Sequence, residues 1–202
     1  MKRPRIFVTP KRLLFYLHRD LEQITETVEG WNQADLSDFE VLVLILEDRR
    51  FFQHHGVDLL AVVRELVRMF SFRKHGGAST IDMQFVRTKT GYRAKTFKRK
   101  CYEIILAYFL QFRMHKLAIL RSYLDIMYLG SGLRGAYQAS ETVFAKQLWE
   151  LDRREAAFIA AMMVYPRPLV PTAEWSKKVY RRAAYGLRLF DDLASRYKQR
   201  LE

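Results

Sequence analysis

The sequence predicts a mainly α-helical protein, and three observations support this prediction. Apolar residues recur at helical spacing along most of the chain, helix-start signals precede several of these segments, and alternating strand patterns are scarce. Half of the residues are hydrophobic, so the chain can bury a core and is not a disordered tail. Its 202 residues suffice for one large or two small domains. We predict an N-terminal helical segment over 1–36 and the main domain over 37–202.

Capping signals and breakers define the predicted helices. Ser37 to Glu40 forms a capping-box pattern, Asp58 can cap the next helix, and Asp152 to Glu155 forms a second box. Three prolines between 166 and 171 predict an extended turn. Glycines predict that His75–Arg93 is the longest irregular region, and loops of that length are often functional. The predicted helices lie in the N-terminal segment and over 41–46, 59–70, 96–112, 116–129, 156–164 and 173–200.

Composition constrains the partners of the chain. It has 35 basic and 22 acidic residues, and the net charge of +13 favours a nucleic acid, an anionic membrane or a phosphate-rich substrate. The single cysteine, Cys101, excludes an intrachain disulfide framework and a multi-cysteine zinc site. No stretch reaches the ~18 consecutive apolar residues of a membrane-spanning helix, and charges interrupt the N-terminus too often for a signal peptide. We therefore expect a soluble or peripheral protein, or one whose anchor lies outside this chain.

Two segments bear groups suited to catalysis. An apolar run, Val41–Leu46, ends directly in Glu47, which is a way to place a general acid or base in a cleft. Taken alone, the same pattern also describes a solvated helix end. A basic run from Lys89 to Lys100 could surround an anionic group, and Glu103 follows Arg99 at the spacing of a helical ion pair.

Several motifs occur in order along the chain. The pattern E-D-x-x-F-x-x-H-x-G-x-D begins at Glu47, and G-x-S-T-I-T-Q-Q is approximated from Gly77. R-K-x-x-E begins at Arg99, and K-x-x-I-L-x-x-Y-L-N is approximated from Lys116. The pattern L-x-x-x-E-A-A-x-x-A begins at Leu151. Shorter matches occur at Gly135-Ala136, Phe144, Lys146 and Arg181-Arg182. Together these segments, over about 39–193, resemble the peptidoglycan glycosyltransferases of glycosyltransferase family 51, which polymerise lipid II into glycan strands.

The resemblance implies a fold and a site. The fold would be a larger lysozyme-like helical lobe with a smaller membrane-facing lobe, in which Leu59–Lys74 is the mobile membrane-facing segment. Glu47 would be the catalytic base for the 4-hydroxyl of the acceptor GlcNAc. Glu103 would be a second catalytic carboxylate that orients basic groups or holds a divalent metal, Mg²⁺ or Mn²⁺. The implied substrate-binding residues are Asp48, Phe51, His54, Gly56, Ser79, Thr80, Gln84, Arg87, Lys95, Arg99 and Lys100.

The resemblance also implies partners and a location. Lipid II, the lipid-linked glycan, a membrane surface and cell-wall synthesis proteins are the expected partners, and no nucleic acid is expected. The family works on the outer face of the bacterial cytoplasmic membrane, although this chain shows no anchor or signal peptide. His54 and His55 are adjacent and lack a third ligand at metal-site spacing, so we expect a structural role in the turn.

The chain departs from the family pattern at several positions. Asp82 replaces Thr or Ser, and Met83 replaces the first of two glutamines. A carboxylate at 82 would weaken phosphate binding nearby unless a metal or a base offsets its charge. The other departures are Arg87 for Lys, Thr88 for Asn and Asp125 for Asn.

Three alternative functions stay open at this point. The basic run with Tyr92 and Phe97 could contact nucleic-acid phosphates, although no known nucleic-acid-binding signature accompanies it. Asp82 and Met83 motivate a catalytically inactive family member that binds lipid II or a cell-wall partner. A lytic, lysozyme-like hydrolase is the third alternative, but a pyrophosphate leaving group needs no strong acid, and the basic run favours transfer over hydrolysis.

Overall fold

A computed structural model describes residues 9–26, 35–70, 79–92, 94 and 96–199. The described chain is mainly helical, as predicted. None of the described helices is long and apolar enough to cross a membrane. The elements are α1 (Pro10–Thr25), α2 (Asp38–Glu47), α3 (Leu59–Phe70), α4 (Ile81–Thr90), α5 (Phe97–Leu110), α6 (Lys116–Leu124), β1 (Tyr128–Gly130), β2 (Leu133–Arg134), α7 (Ala136–Phe144), α8 (Arg153–Ala161) and α9 (Ala173–Lys198).

The chain divides into two compact units, each built from two stretches of sequence. One unit comprises 1–31 and 50–122, and the other comprises 32–49 and 123–202. We refer to them as the α4–α5 unit and the α2–α9 unit. The expected boundary at residue 36 stays a prediction, because it concerns the limits of the main domain rather than these units.

In the α2–α9 unit, α2 is the central helix and packs against α8 and α9. Ser37 caps it in the predicted box: its side chain accepts from the Glu40 backbone N–H, and the Glu40 carboxylate accepts from the Ser37 backbone N–H. The next six residues, Val41 to Leu46, are all buried. A helix that is apolar on every side must be enclosed, which explains why it lies between two others. Gly186 of α9 permits this approach, since a Cβ there would lie 3.1 Å from Leu46 Cδ2.

The α4–α5 unit is built on the pair α4 and α5, with α1 packed against both. Leu17, Leu21 and Ile24 are the buried apolar side chains of α1. Asp20 is buried beside them and accepts hydrogen bonds from the hydroxyls of Tyr92 (2.8 Å) and Tyr102 (2.9 Å). Burial, and then the Asp20 carboxylate, raise the pKa of Tyr102, so the Tyr102 hydroxyl keeps the proton that it donates.

Gly56 shows how closely the loop before α3 packs on α5. Its φ is +79°, and a Cβ at this position would lie 2.2 Å from the Ala107 carbonyl oxygen. Only glycine satisfies both conditions without moving the backbone. Asp58 then begins α3, because its side chain accepts from the Ala61 backbone N–H at 3.1 Å.

Three sequence-based boundaries are wrong. The region predicted as irregular contains α4, which Thr80 caps through the Met83 backbone N–H and which Gly91 ends at φ +66°. Helix α6 ends at Leu124 rather than 129, because the following residues form β1, which pairs antiparallel with β2 and bridges to Arg167. Helix α8 ends at Ala161 rather than 164 and gives way to turns. Residues 75–78 and 93 of the same predicted loop lie outside the described chain.

Candidate active site

Glu47 is the last residue of α2, as its position after an apolar run predicts. It is half-buried, and Asp48 directly after it is buried. Two arginines hold the carbonyl groups of this last turn. Arg49 Nε donates to the Ile45 carbonyl at 3.1 Å, and the Arg182 guanidinium donates to the Leu46 carbonyl. Cations at a helix C-terminus offset its partial negative charge, so these contacts fix the turn that carries Glu47.

A second group of predicted site residues meets in the α4–α5 unit. Thr96 caps α5, and the first turns of this helix bring Arg99, Lys100 and Glu103 onto one face. Arg99 donates to the Glu103 carboxylate, and Lys100 Nζ lies 3.9 Å from it. Lys100 Nζ also donates to Ser79 Oγ at 2.7 Å. The structure therefore joins four of the predicted residues through direct contacts.

Burial controls the ionisation of this group. It raises the pKa of Glu103 above its ordinary value of 4.5, against the opposing effect of Arg99, Lys100 and Arg87. It also lowers the pKa of Lys100, which the positive charges of Arg87 and Arg99 lower further and Glu103 raises. Three cations thus surround one carboxylate, and the surplus positive charge suits an anionic ligand.

The raised pKa of Glu103 predicts how stability changes with pH. The folded protein binds this proton more tightly than the unfolded chain, so the stabilising contribution of Glu103 is complete below its unfolded pKa. It is lost as the pH rises through the folded pKa. We expect the free energy of unfolding of the wild type, minus that of Glu103→Gln, to fall in urea titrations as the pH rises above the ordinary pKa of 4.5. A difference that rises over this range would mean that the cations lower this pKa more than burial raises it.

Asp82 lies in a buried polar cluster of the same unit. It is 0% exposed, and Lys116 Nζ donates to both of its carboxylate oxygens at 3.0 and 3.1 Å. Gln111 Nε2 donates to it at 2.6 Å. The sequence indicated that a metal or a base would have to offset the negative charge of Asp82. Lys116 is such a base. Met83 is 1% exposed and belongs to the core.

Several predicted ligand residues have supporting positions. Phe51 is fully buried, with Lys116 Nζ 4.3 Å above its ring. His54 is also buried, and its Nδ1 lies 3.9 Å from Asp82 Oδ2; its role stays a prediction. Thr80 donates to the Gly56 carbonyl at 2.6 Å. Their packing favours shaping of the site over direct contact with a substrate.

The remaining predicted residues lie on α4, outside the described residues, or in the α2–α9 unit. Gln84 and Arg87 lie half-buried on α4. Lys95 lies outside the described residues. Glu47 and Asp48 belong to the α2–α9 unit, whereas the other described site residues belong to the α4–α5 unit. The sequence did not predict that Arg49 and Arg182 contact the turn that carries Glu47. The available signals were the charged residues that follow Glu47 and the arginine pair in the last helix.

The expected divalent metal is not supported by the groups around Glu103. Mg²⁺ and Mn²⁺ need several oxygen ligands. Among the residues that the structure describes, Glu103 is in no cluster of three metal-ligating side chains. Arg99 and Lys100 already flank its carboxylate. The donor set around Glu103 does not fit a divalent cation, and the divalent metal itself stays a prediction.

Comparison with known proteins identifies the family. The family model described as transglycosylase matches residues 24–190. The chain belongs to the transglycosylase family. This match confirms the resemblance drawn from the motifs, all of which lie within the matched residues.

Curated relatives agree with this transglycosylase assignment. The chain is 37% identical over 145 residues to a protein of Cupriavidus necator named as a transglycosylase, covering 72% of this chain and 62% of that protein. It is 34% identical over 147 residues to penicillin-binding protein 1A of Aquifex aeolicus, covering 72% of this chain and 20% of that protein. A similar match to penicillin-binding protein 1A of Haemophilus influenzae covers 74% and 18%. The aligned region thus spans less than two thirds of these relatives.

Proposed function

We propose that this chain is a peptidoglycan glycosyltransferase that polymerises lipid II. The observation that supports this most is the group of Arg87, Arg99 and Lys100 around Glu103, because its surplus positive charge suits a departing pyrophosphate. Membership of the transglycosylase family supports it independently. The proposed location is the outer face of the bacterial cytoplasmic membrane, and cell-wall synthesis proteins are proposed partners.

In the proposed reaction, the 4-hydroxyl oxygen of the acceptor GlcNAc attacks the anomeric carbon of the lipid-linked glycan. Glu47 accepts the hydroxyl proton as the new C–O bond forms. The bond from the anomeric carbon to the phosphate oxygen breaks, and the configuration at that carbon inverts. Undecaprenyl pyrophosphate leaves with the bonding electron pair, and Arg87, Arg99 and Lys100 stabilise its negative charge. Since this leaving group is already a stable anion, the reaction needs no strong general acid.

We propose that α3 contacts the membrane. Its apolar side chains Leu59, Leu60, Val63 and Val67 are 56 to 70% exposed. The same amphipathic pattern is also typical of a helix that faces the core, but the exposure of these four residues disagrees with that alternative. Arg64 is exposed on the same helix and suits an anionic headgroup, so α3 has the composition of an interfacial helix.

The structure does not favour the alternative of a catalytically inactive member that only binds lipid II or a cell-wall partner. It rested on Asp82 and Met83, and both are buried within the α4–α5 unit. Asp82 is also matched by Lys116. Their burial favours a structural effect of the two departures over an effect on ligand contact.

A polymerisation assay tests the proposed function. The wild-type chain is incubated with lipid II in detergent, with divalent metal or with a chelator, and glycan strands are measured. We expect product from lipid II and no degradation of preformed glycan. Degradation without synthesis would favour the lytic alternative. Bound lipid II without product would favour the inactive binder, and binding of duplex DNA instead of lipid II would favour the nucleic-acid alternative.

A further inference from the structure

Three arginines of the α2–α9 unit surround one tyrosine ring. The guanidinium carbons of Arg49, Arg182 and Arg188 lie 5.2, 5.6 and 6.0 Å from the centroid of the Tyr185 ring. We call these four residues the Tyr185 cluster. Positions 182, 185 and 188 are three residues apart on α9, so they share one side of the helix. Arg49 reaches the same ring from the segment that follows α2, and its guanidinium donates to the Tyr185 hydroxyl.

The cluster concentrates positive charge without acidic compensation. Within the described residues, none of its arginines forms an ion pair, whereas the acids of the same helix pair elsewhere. Asp191 contacts Arg153, and Asp192 contacts Arg196. Three neighbouring cations without a carboxylate repel one another, and a bound anion would relieve that repulsion.

Support of α2 explains only part of the arrangement. Arg49 Nε and one amino group of Arg182 hold the carbonyls of Ile45 and Leu46. Arg182 Nε is buried and has no hydrogen-bond partner among the residues that the structure describes. A buried N–H without a partner is rare in folded proteins, and an oxygen atom of a ligand could accept its hydrogen bond. Support of this turn also does not explain Arg188, which has no hydrogen bond to the turn among the described residues.

We propose that the Tyr185 cluster binds a phosphate group. Guanidinium groups bind phosphate through paired N–H donors, and stacking on an aromatic ring orients them for this. The cluster adjoins the turn that carries Glu47, because Arg182 holds the carbonyl of the preceding residue. Resting on the proposed function, we assign the phosphate to the molecule that Glu47 deprotonates, the lipid-linked acceptor. An anionic phospholipid headgroup offers the same chemistry and is the second source to be distinguished.

The test separates this site from the phosphate site on α5. Arg99→Gln and Lys100→Gln are combined in the full chain, and inorganic pyrophosphate is titrated by calorimetry into this background. Adding Arg188→Gln should weaken the remaining binding by about tenfold or more, the loss expected for a charged hydrogen-bonding group. Arg181→Gln is the matched control, since it removes an exposed arginine from the same helix outside the cluster. This background is not expected to make glycan, so the result does not depend on the proposed polymerase activity.

Two further measurements identify the source of the phosphate. With intact Arg99 and Lys100, Arg188→Gln should raise the KM for a short-chain lipid II acceptor and leave binding to phosphatidylglycerol vesicles unchanged. The opposite pattern would support a phosphate site occupied by a headgroup and overturn the assignment to the acceptor. Absence of pyrophosphate binding in the background, or equal weakening by Arg188→Gln and Arg181→Gln, would overturn the phosphate site. Arg188→Lys guards against misfolding, because it keeps the charge and should restore part of the affinity.

Discussion

Replacing Glu47 with glutamine is expected to reduce glycan synthesis by about 10²–10⁴-fold while lipid II binding is retained. Glutamine has nearly the same shape but cannot accept the proton of the attacking hydroxyl. The surrounding turn should persist, because Arg49 and Arg182 hold backbone carbonyls rather than the Glu47 side chain. Initial rates with saturating lipid II, together with a separate binding titration, measure the two effects.

Glu141→Gln is the matched control for this substitution. Glu141 is an exposed glutamate of α7 in the same unit as Glu47, and its replacement should leave the rate unchanged. A Glu47→Gln protein that retains activity within about tenfold of the wild type would show that another group removes the proton. Loss of binding together with activity would instead place Glu47 among the ligand contacts.

The Asp82–Lys116 pair predicts the largest effect on stability. Lys116→Met would leave a fully buried carboxylate without its cation, and removal of one partner from such a pair costs about 3–5 kcal/mol. Asp82→Asn should cost less, since Lys116 is partly exposed and keeps its contact with the Phe51 ring. The double variant should be more stable than the sum of the two losses implies, because neither charge is then left alone. Urea unfolding of the four proteins measures this cycle.

An exposed pair provides the comparison. Lys178 and Glu174 lie 2.7 Å apart on the surface of α9, and Lys178→Met should leave the free energy of unfolding nearly unchanged. If the Asp82 and Lys116 losses add to within about 0.5 kcal/mol, the two residues do not stabilise each other and the interpretation fails. Threonine is the usual family residue at position 82. In this chain, Asp82→Thr would remove the carboxylate that Lys116 contacts.

Local chemistry made much of the fold predictable. Ser37 with Glu40 and Asp152 with Glu155 form the capping boxes that the sequence indicates, because these contacts depend only on residues three apart. The end of α2 at Glu47 was predictable for the same reason, since an apolar run there gives way to charge. Family motifs added the contacts of Arg99, Lys100 and Glu103, which lie within one helix.

The features that the sequence did not predict have other physical causes. Helix α4 was hidden because Gly91 was interpreted as a loop residue, although a glycine directly after a helix also ends it. The Asp82–Lys116 contact joins residues 34 apart, and the Arg182–Leu46 contact joins residues 136 apart. No local pattern specifies such pairs. Their partners are set by how helices pack, which single-residue propensities do not contain.

The buried Asp20 also bears on where this enzyme domain can be cut. The family match begins at residue 24, but the hydroxyls of Tyr92 and Tyr102 depend on a carboxylate four residues earlier. A truncation at the edge of the family match would remove most of α1 and leave two polar groups in an apolar environment without their acceptor. For protein production, we therefore expect a fragment that includes all of α1 to be more stable than one that begins at residue 24, where the family match begins.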